Sequence, residues 1–431
     1  MTRTAETGLI IAAAILAAVG VGIVEFTKDN WLNAQVVVTF GVFVIAFGGI
    51  QIAVRRWASG ASSLLLPTVA FLTAIGFIEI YRLDGHLAAI QRWSMLIAAA
   101  AGVGLLWLLR NTGVGVLRRY RYVLLAVGVL FLMLPLLPDG WPLHGAVVNG
   151  SRLWVRIDVP GLDRVLSFQP GEIGKVLVTI FLASYLAERS EAMATIDRKI
   201  GPFKLPEPRH LFPVLVAAGI AFVILIYQRD LGASLLLFGL FIGMLYIATG
   251  RSFYLVTGAL AAVAGGAAAY STFSHVQRRI DAWLDPFGHF SDAGYQSVQA
   301  LFAMGSGSLT GSGIGLGRPD LIPAAETDFI FAAIAEEMGL AGSLAVIAAF
   351  ALLVAAGFGI AIRSRDLFRK YLAGGLTIVL ALQAIIILGG VLRVMPVTGI
   401  TLPFMSYGGS SLLANTAIIA LLLRISDEER A

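Results

Sequence analysis

The chain has 431 residues, of which 58% are hydrophobic and only 13% charged, about half the charged share of a soluble domain. That composition excludes an ordinary water-soluble fold, and the lack of cysteine excludes a disulfide framework and any thiolate metal site. A formal charge of +5, carried by sparse residues confined to loops, reads as a topology signal and not as a nucleic-acid-binding surface.

A bilayer core about 30 Å thick needs about 20 apolar residues per helix. Twelve segments qualify, roughly 8–25, 33–54, 64–81, 93–109, 122–137, 169–187, 211–228, 231–249, 252–273, 328–362, 371–392 and 406–424. The first run, Leu9 to Val24, is followed by Glu25-Phe26-Thr27-Lys28, which is no small-residue cleavage site. It reads as a retained helix and not as a signal peptide. The tenth run would be about 51 Å long at 1.5 Å per residue, so it is expected to tilt, kink or project from the bilayer.

Twelve spans put both termini on one side. With the N-terminus inside, cytoplasmic segments hold 19 Lys and Arg, including Arg55-Arg56, Arg118-Arg119, Arg198-Lys199 and Arg369-Lys370, and outer segments hold 11. The positive-inside rule favours that orientation. The expectation is an all-α, polytopic helical bundle of about twelve transmembrane helices in the cytoplasmic (inner or plasma) membrane, with both termini cytoplasmic. Its parts are N-terminal spans over 1–109, a core over 110–424 with long outer segments 138–168 and 274–327, and a short tail over 425–431. A carrier usually gathers its polar groups near the membrane midplane. Here the polar stretches 149–175, 228–232, 278–328 and 396–411 all meet the outer face, which points to a site at the outer membrane surface.

Those same stretches carry a family likeness. Phe168-Gln169-Pro170-Gly171-Glu172-Ile173-Gly174-Lys175 resembles F-Q-P-S-E-x-x-K, and Gln228-Arg229-Asp230-Leu231-Gly232 resembles Q-P-D-L-G. Gly294-Tyr295-Gln296 precedes a glycine-rich run, Gly305 to Gly317, and Thr327-Asp328-Phe329-Ile330-Phe331 is followed by Ala335-Glu336-Glu337-Met338-Gly339. Pro396-Val397-Thr398-Gly399 and Ser406-Tyr407-Gly408-Gly409-Ser410-Ser411 complete the series. In order and spacing these six motifs resemble the shape, elongation, division and sporulation (SEDS) family of RodA/FtsW-type peptidoglycan glycosyltransferases, RodA-like more than FtsW-like. The likeness covers about 110 to 424, and the first two spans look additional to that family's core. The chain departs from the pattern at Gly171 for Ser, Arg229 for Pro, Glu326 for His, Ile387 for Asn and Arg393 for Gly.

The resemblance implies polymerisation of lipid II into glycan strands at the outer face of the membrane, releasing polyprenyl diphosphate, for cell elongation, shape or division. It implies a class B penicillin-binding transpeptidase as partner, with other elongation or division machinery, and no nucleic acid. A lipid-linked precursor flippase or other transporter is the alternative.

Asp328 carries the catalytic expectation. An Asp beside a helix N-terminus is ordinarily a cap, but a partly desolvated carboxylate at the water–lipid boundary is also a candidate general base for an acceptor hydroxyl. The family's matching Asp is regarded as catalytic. Substrate contacts are expected from Arg279 and Arg278, whose guanidiniums suit a diphosphate leaving group, from Arg152 on the opposite rim, and from Gln296 and Ser406. Glu172 and Lys175, spaced i and i+3, share a helix face as an ion pair, and Asp230 either caps the eighth helix or lines the cavity. On one continuous helix Glu336 would lie about 80° and Glu337 about 180° from Asp328, so only Glu336 would share the site's face, where it also reads as a brace between helices.

The glycine run has no following Lys and no preceding strand, so it is no Walker motif. The five histidines, His86, His144, His210, His275 and His289, lack metal-ligand spacing. No metal site or cofactor is assigned, although a Mg²⁺ ion bridging diphosphate and Asp328 stays open.

Overall fold

The structure, a computed structural model, describes residues 2–28, 34–138, 141–148, 151–158, 165–195, 197–200, 203–206 and 208–430. In chain order it begins with α1 (Arg3–Thr27), α2 (Ala34–Trp57), α3 (Leu65–Leu83), α4 (Gly85–Leu108), α5 (Gly115–Arg119) and α6 (Arg121–Met133). Strands β1 (Leu143–Val148), β2 (Ser151–Asp158) and β3 (Val165–Phe168) precede α7 (Pro170–Thr195), β4 (Asp197–Ile200) and β5 (Phe203–Pro206). The chain continues with α8 (Pro208–Gln228), α9 (Leu231–Thr249), α10 (Phe253–Thr272), α11 (Ser274–Leu284) and α12 (Tyr295–Gly307). It ends with α13 (Ile330–Arg363), α14 (Leu367–Val391) and α15 (Gly409–Glu428). Among the described residues, ten helices are long and apolar enough to cross a membrane. The fifth and seventh expected spans appear as shorter apolar helices within 121–136 and 218–228. The protein is a multi-pass helical membrane protein.

Two compact units emerge, neither continuous in sequence: residues 1–110, 263–356 and 383–431 form the first, and 111–262 with 357–382 the second. In the first, α3 is apolar on every side, and such a helix belongs inside a bundle. All of its residues except Phe71, Arg82 and Leu83 are buried, with α1, α2, α4 and α15 around it. Phe77 meets Phe43 edge-on at 5.9 Å between ring centres. The two chain ends meet at one end of this unit. Arg3 donates to the carbonyl of Ser59 at 2.7 Å, the Gly60 N–H donates to Asp427 at 2.8 Å, and Arg424 donates to the carbonyl of Trp57 at 2.8 Å. From there α3 runs about 27 Å to Arg82 at the opposite end.

In the second unit α7 packs on α6, α8 and α9. Part of the segment expected as an outer loop over 138–168 is an antiparallel sheet in the order β1-β2-β3, with Leu143 opposite Ile157 and Val155 opposite Phe168. The signal was a period-two alternation, Leu153, Val155 and Ile157 against Arg152, Trp154 and Arg156, and Val155 is fully buried.

The long tenth span resolves its excess length by breaking. Gly339 has φ 65° and ψ −163° inside α13, so the helix is two helices joined at that residue. A break frees backbone groups that need partners, and the segment 308–313 supplies them. Leu340 N–H donates to Ser308 O at 3.0 Å and Ala341 N–H to Leu309 O at 3.2 Å. Ser312 N–H and Gly313 N–H return bonds to the carbonyls of Glu336 and Glu337, at 2.9 and 3.0 Å. Side chains extend the seam: Glu337 accepts from Gly315 N–H at 2.8 Å and pairs with Arg82 at 3.1 Å, which itself donates to Gly317 O at 3.0 Å. Glu336 accepts from Arg318 N–H at 2.8 Å. Three residues before Arg82, Glu79 is fully buried, and among the described residues neither of its carboxylate oxygens has a hydrogen-bond partner.

The backbone angles at Gly339 are open to glycine alone, and a side chain there would collide with the backbone of Gly311. Gly339→Ala should therefore cost more than the roughly 1–3 kcal/mol typical of such strain and lower the melting temperature of detergent-purified protein. Gly305→Ala, on α12 with open space beside it, should not. Glu79→Gln removes no hydrogen bond and is expected to leave that melting temperature unchanged or raised, a result that differential scanning fluorimetry would read directly.

Candidate active site

Asp328 lies just before α13, in a turn held from two directions. On its N-terminal side, Arg318 is anchored by Glu336. On the other, Ser406 donates its hydroxyl to Thr327 O at 2.6 Å while accepting from Leu402 N–H at 2.9 Å. Tyr407 N–H donates to Glu326 O at 2.8 Å. Phe329, 1% exposed, roots the turn in the core, and the first helical bonds of α13 run to the Phe329 carbonyl. The capping alternative finds no support among the described contacts: the carboxylate of Asp328 accepts no N–H from that first turn.

Facing this carboxylate is α11, a short helix with a strongly charged face and only Val276 and Ala282 buried. Arg279 donates to Val397 O at 3.1 Å and does not form a direct ion pair with Asp328. Between them stands Gly399, at φ 77°. A Cβ placed on it would sit 3.6 Å from Asp328 Oδ2 and 3.7 Å from both terminal nitrogens of Arg279. The acid, the guanidinium and the bare backbone of Gly399 thus share one mouth, and glycine there both permits the left-handed turn and keeps the space between the charges free. Arg278 is exposed beside it.

Burial, before any other influence, pushes the Asp328 carboxyl up to about 6; the positive charge of Arg279 and the Thr327 hydroxyl pull it down, and Glu326 adds a smaller upward push. The side chain keeps some solvent-accessible surface, so it can exchange protons and meet a ligand. A carboxylate poised near neutrality, with a permanent cation across a narrow gap, can accept a proton from a hydroxyl while the cation stabilises a departing anion.

The structure thus brings Asp328, Arg279 and Ser406 together, with Arg278 at the rim. Gln296, at the start of α12, donates to Pro323 O at 3.4 Å and ties that helix to the segment leading into Asp328. Glu336 takes the bracing role expected of it, buried and accepting from Arg318 N–H at 2.8 Å. Because α13 begins only at Ile330, Asp328 and Glu336 do not belong to one helix, and both Glu336 and Glu337 turn to the 312–318 segment.

The remaining expected residues lie in the second unit. Glu172 and Lys175 form a buried pair at 2.6 Å on α7, Asp230 caps α9 by accepting from Ala233 N–H at 2.8 Å, and Arg152 on β2 donates to Leu137 O at 3.2 Å. Sequence reasoning missed Arg82, Glu79 and the placement of Gly399. Charged residues inside the apolar stretch Ile75 to Leu83 were the available sign for the first two.

A family model described as cell cycle protein, embracing FtsW, RodA and SpoVE, matches residues 57–431. The peptidoglycan glycosyltransferase RodA of Mycobacterium tuberculosis is 38% identical over 99% of this chain and 91% of its own length. The probable peptidoglycan glycosyltransferase FtsW of a Geobacter species is 32% identical over 87% of this chain and 99% of its own. Among solved structures, a chain reported under the structural coordination of polymerization and crosslinking by a peptidoglycan synthase complex aligns with a TM-score of 0.67 at 26% identity, covering 86% of this chain and 98% of that one. Thermus thermophilus RodA aligns with a TM-score of 0.59 at 25% identity, covering 87% and 99%. The chain belongs to the FtsW, RodA and SpoVE family of cell cycle proteins, the group its six motifs resemble.

Proposed function

We propose that this protein is a peptidoglycan glycosyltransferase that polymerises lipid II at the outer face of the cytoplasmic membrane. The observation that carries the reading is the half-buried Asp328 carboxyl, raised to about 6, opposite Arg279 across Gly399. Relatives along nearly the full chain are named for the same activity.

In the reaction, Asp328 takes the proton of an acceptor sugar hydroxyl as that oxygen bonds to the anomeric carbon of the donor. The bond from that carbon to the diphosphate oxygen breaks, and polyprenyl diphosphate leaves with its electron pair. Arg279, with Arg278 at the rim, balances the charge growing on the diphosphate, a use that suits a planar and permanently charged guanidinium. Ser406 acts through the backbone of Thr327, keeping the base in place. Among the described residues no three His, Asp or Glu side chains converge as a metal-ligand set. A class B penicillin-binding transpeptidase is the partner that fits a polymerase of this kind, and the likeness to a chain from a peptidoglycan synthase complex supports it.

Orientation follows from charge. The end of the first unit where the chain termini meet carries Arg3, Arg55, Arg56, Arg110 and Arg424, as expected of a cytoplasmic face, with Asp328 toward the other. With no native cysteine, Thr310→Cys and, separately, Thr195→Cys can be probed in spheroplasts with a membrane-impermeant maleimide. Position 310 should label and position 195 should not, and the reverse pattern would turn the protein over.

The chemistry is tested with polyprenyl-diphosphate disaccharide and detergent-purified protein, with its transpeptidase where required. Asp328→Asn should lower the polymerisation rate by about 10²–10⁴-fold. Since the base works only when ionised, the wild-type rate should fall as pH drops through about 6 and level off above it. Detergent removes compartments, so a flippase would make no glycan; wild-type product from Asp328→Asn would sink the catalytic assignment.

A further inference from the structure

Arg393 stands where the family pattern has glycine, and nothing in the chemistry above uses it. It follows α14 directly, at φ 58°, with its N–H donating to Gly390 O at 3.2 Å and that of Val394 to Gly389 O at 2.8 Å. This is the left-handed turn that closes a helix, a conformation natural to glycine and strained for arginine. A strained residue that persists points to something its side chain does.

That side chain reaches the far end of α11. Its Nη2 donates to the carbonyls of Trp283 at 2.8 Å and Leu284 at 3.4 Å. In return, the Trp283 indole N–H donates to the Arg393 carbonyl at 3.0 Å. Carbonyls in the last turn of a helix lack partners within it, and the negative end of the helix dipole favours a cation there. Arg393 therefore caps α11 while its own backbone is gripped by the capped helix. Trp283 and Arg279 are four residues apart, on one face of α11. With two buried residues, α11 is otherwise tethered by the Tyr270 hydroxyl, which donates to Asp281 at 3.0 Å, and by the bond from Arg279 to Val397 O. The Arg393 clamp is what holds its C-terminal end, and the set of the helix decides where Arg279 sits relative to Asp328.

We propose that Arg393 is a positioning residue for glycosyl transfer: its clamp on the C-terminal end of α11 holds Arg279 at the mouth of the site opposite Asp328. The inference rests on the reading of Asp328 as the base. It also explains how a lightly packed surface helix presents a guanidinium at a fixed place.

The test is the pH–rate profile of polymerisation for wild type, Arg393→Gly, Arg279→Ala and the double variant. Arg393→Gly removes the clamp but relieves the strained turn, so the protein should keep its melting temperature while losing about tenfold to a hundredfold in rate, as small misplacements at reacting centres do. The charged neighbours of the Asp328 carboxylate are Arg279 on α11 and Glu326 in its own turn. Letting Arg279 drift weakens the larger of the two influences that favour the ionised form, the Thr327 hydroxyl being the other, so the acid limb of the profile should move to higher pH. Arg279→Ala should move it the same way, and the double variant should move it no further than Arg279→Ala alone. Arg393→Lys, which keeps a cation at the carbonyls of Trp283 and Leu284, should restore part of the rate. An acid limb for Arg393→Gly coincident with wild type, or shifts that add in the double variant, would overturn the proposal while leaving the role of Asp328 intact. Full activity of Asp328→Asn would instead remove the reading beneath it.

Discussion

A carboxylate taken out of water inside an apolar bundle must be partnered, neutralised or put to use, and the charged residues of this chain divide along those lines. Glu172 and Lys175 satisfy one another on a single helix. Glu337 is shared between Arg82 and the backbone of Gly315, and Arg424 between Asp427 and Glu428. Asp328 differs: its nearest cation, Arg279, is engaged by Val397 O and reaches it only across the gap at Gly399. Burial without a close partner raises proton affinity, and that gap leaves room for a substrate between the carboxylate and the guanidinium.

The break at Gly339 is the structural counterpart of this arrangement. It turns the carbonyls of Glu336 and Glu337 into acceptors for the 312–313 backbone, and the two carboxylates secure Arg318 and Gly315. The stretch from Arg318 to Asp328 is therefore fixed at its start by the broken helix and at its end by Ser406 and Tyr407. A connection tied at both ends can hold a side chain in place although it has almost no regular structure, and precise placement is what a general base requires.

Much of this was legible in the linear chain. Runs of about 20 apolar residues declare membrane helices because lipid offers the backbone no hydrogen bonds, and the excess length of the tenth run announced a distortion. The i, i+3 spacing of Glu172 and Lys175 and the capping position of Asp230 were readable because helix geometry is local. The sheet over β1 to β3 was also encoded, as alternation, but a short strand signal inside a polar segment is easily taken for loop.

What the sequence by itself determined is the inventory: which segments enter the membrane, which polar stretches gather beside them, and which acids and arginines are available for chemistry. Tertiary structure alone decided the pairings. Arg82 and Glu337 are 255 positions apart, and Arg279 and Val397 118 apart, distances over which no periodicity carries information. The helical wheel drawn from Asp328 to Glu336 does not describe their relation for the same reason, although the brace expected of Glu336 is present. The wheel assumed one continuous helix, whereas Asp328 lies ahead of α13 and the side-chain directions of Glu336 and Glu337 are set by the 312–318 segment. That segment packs there because the backbone groups freed at Gly339 need hydrogen-bond partners once buried, and the 308–313 backbone supplies them.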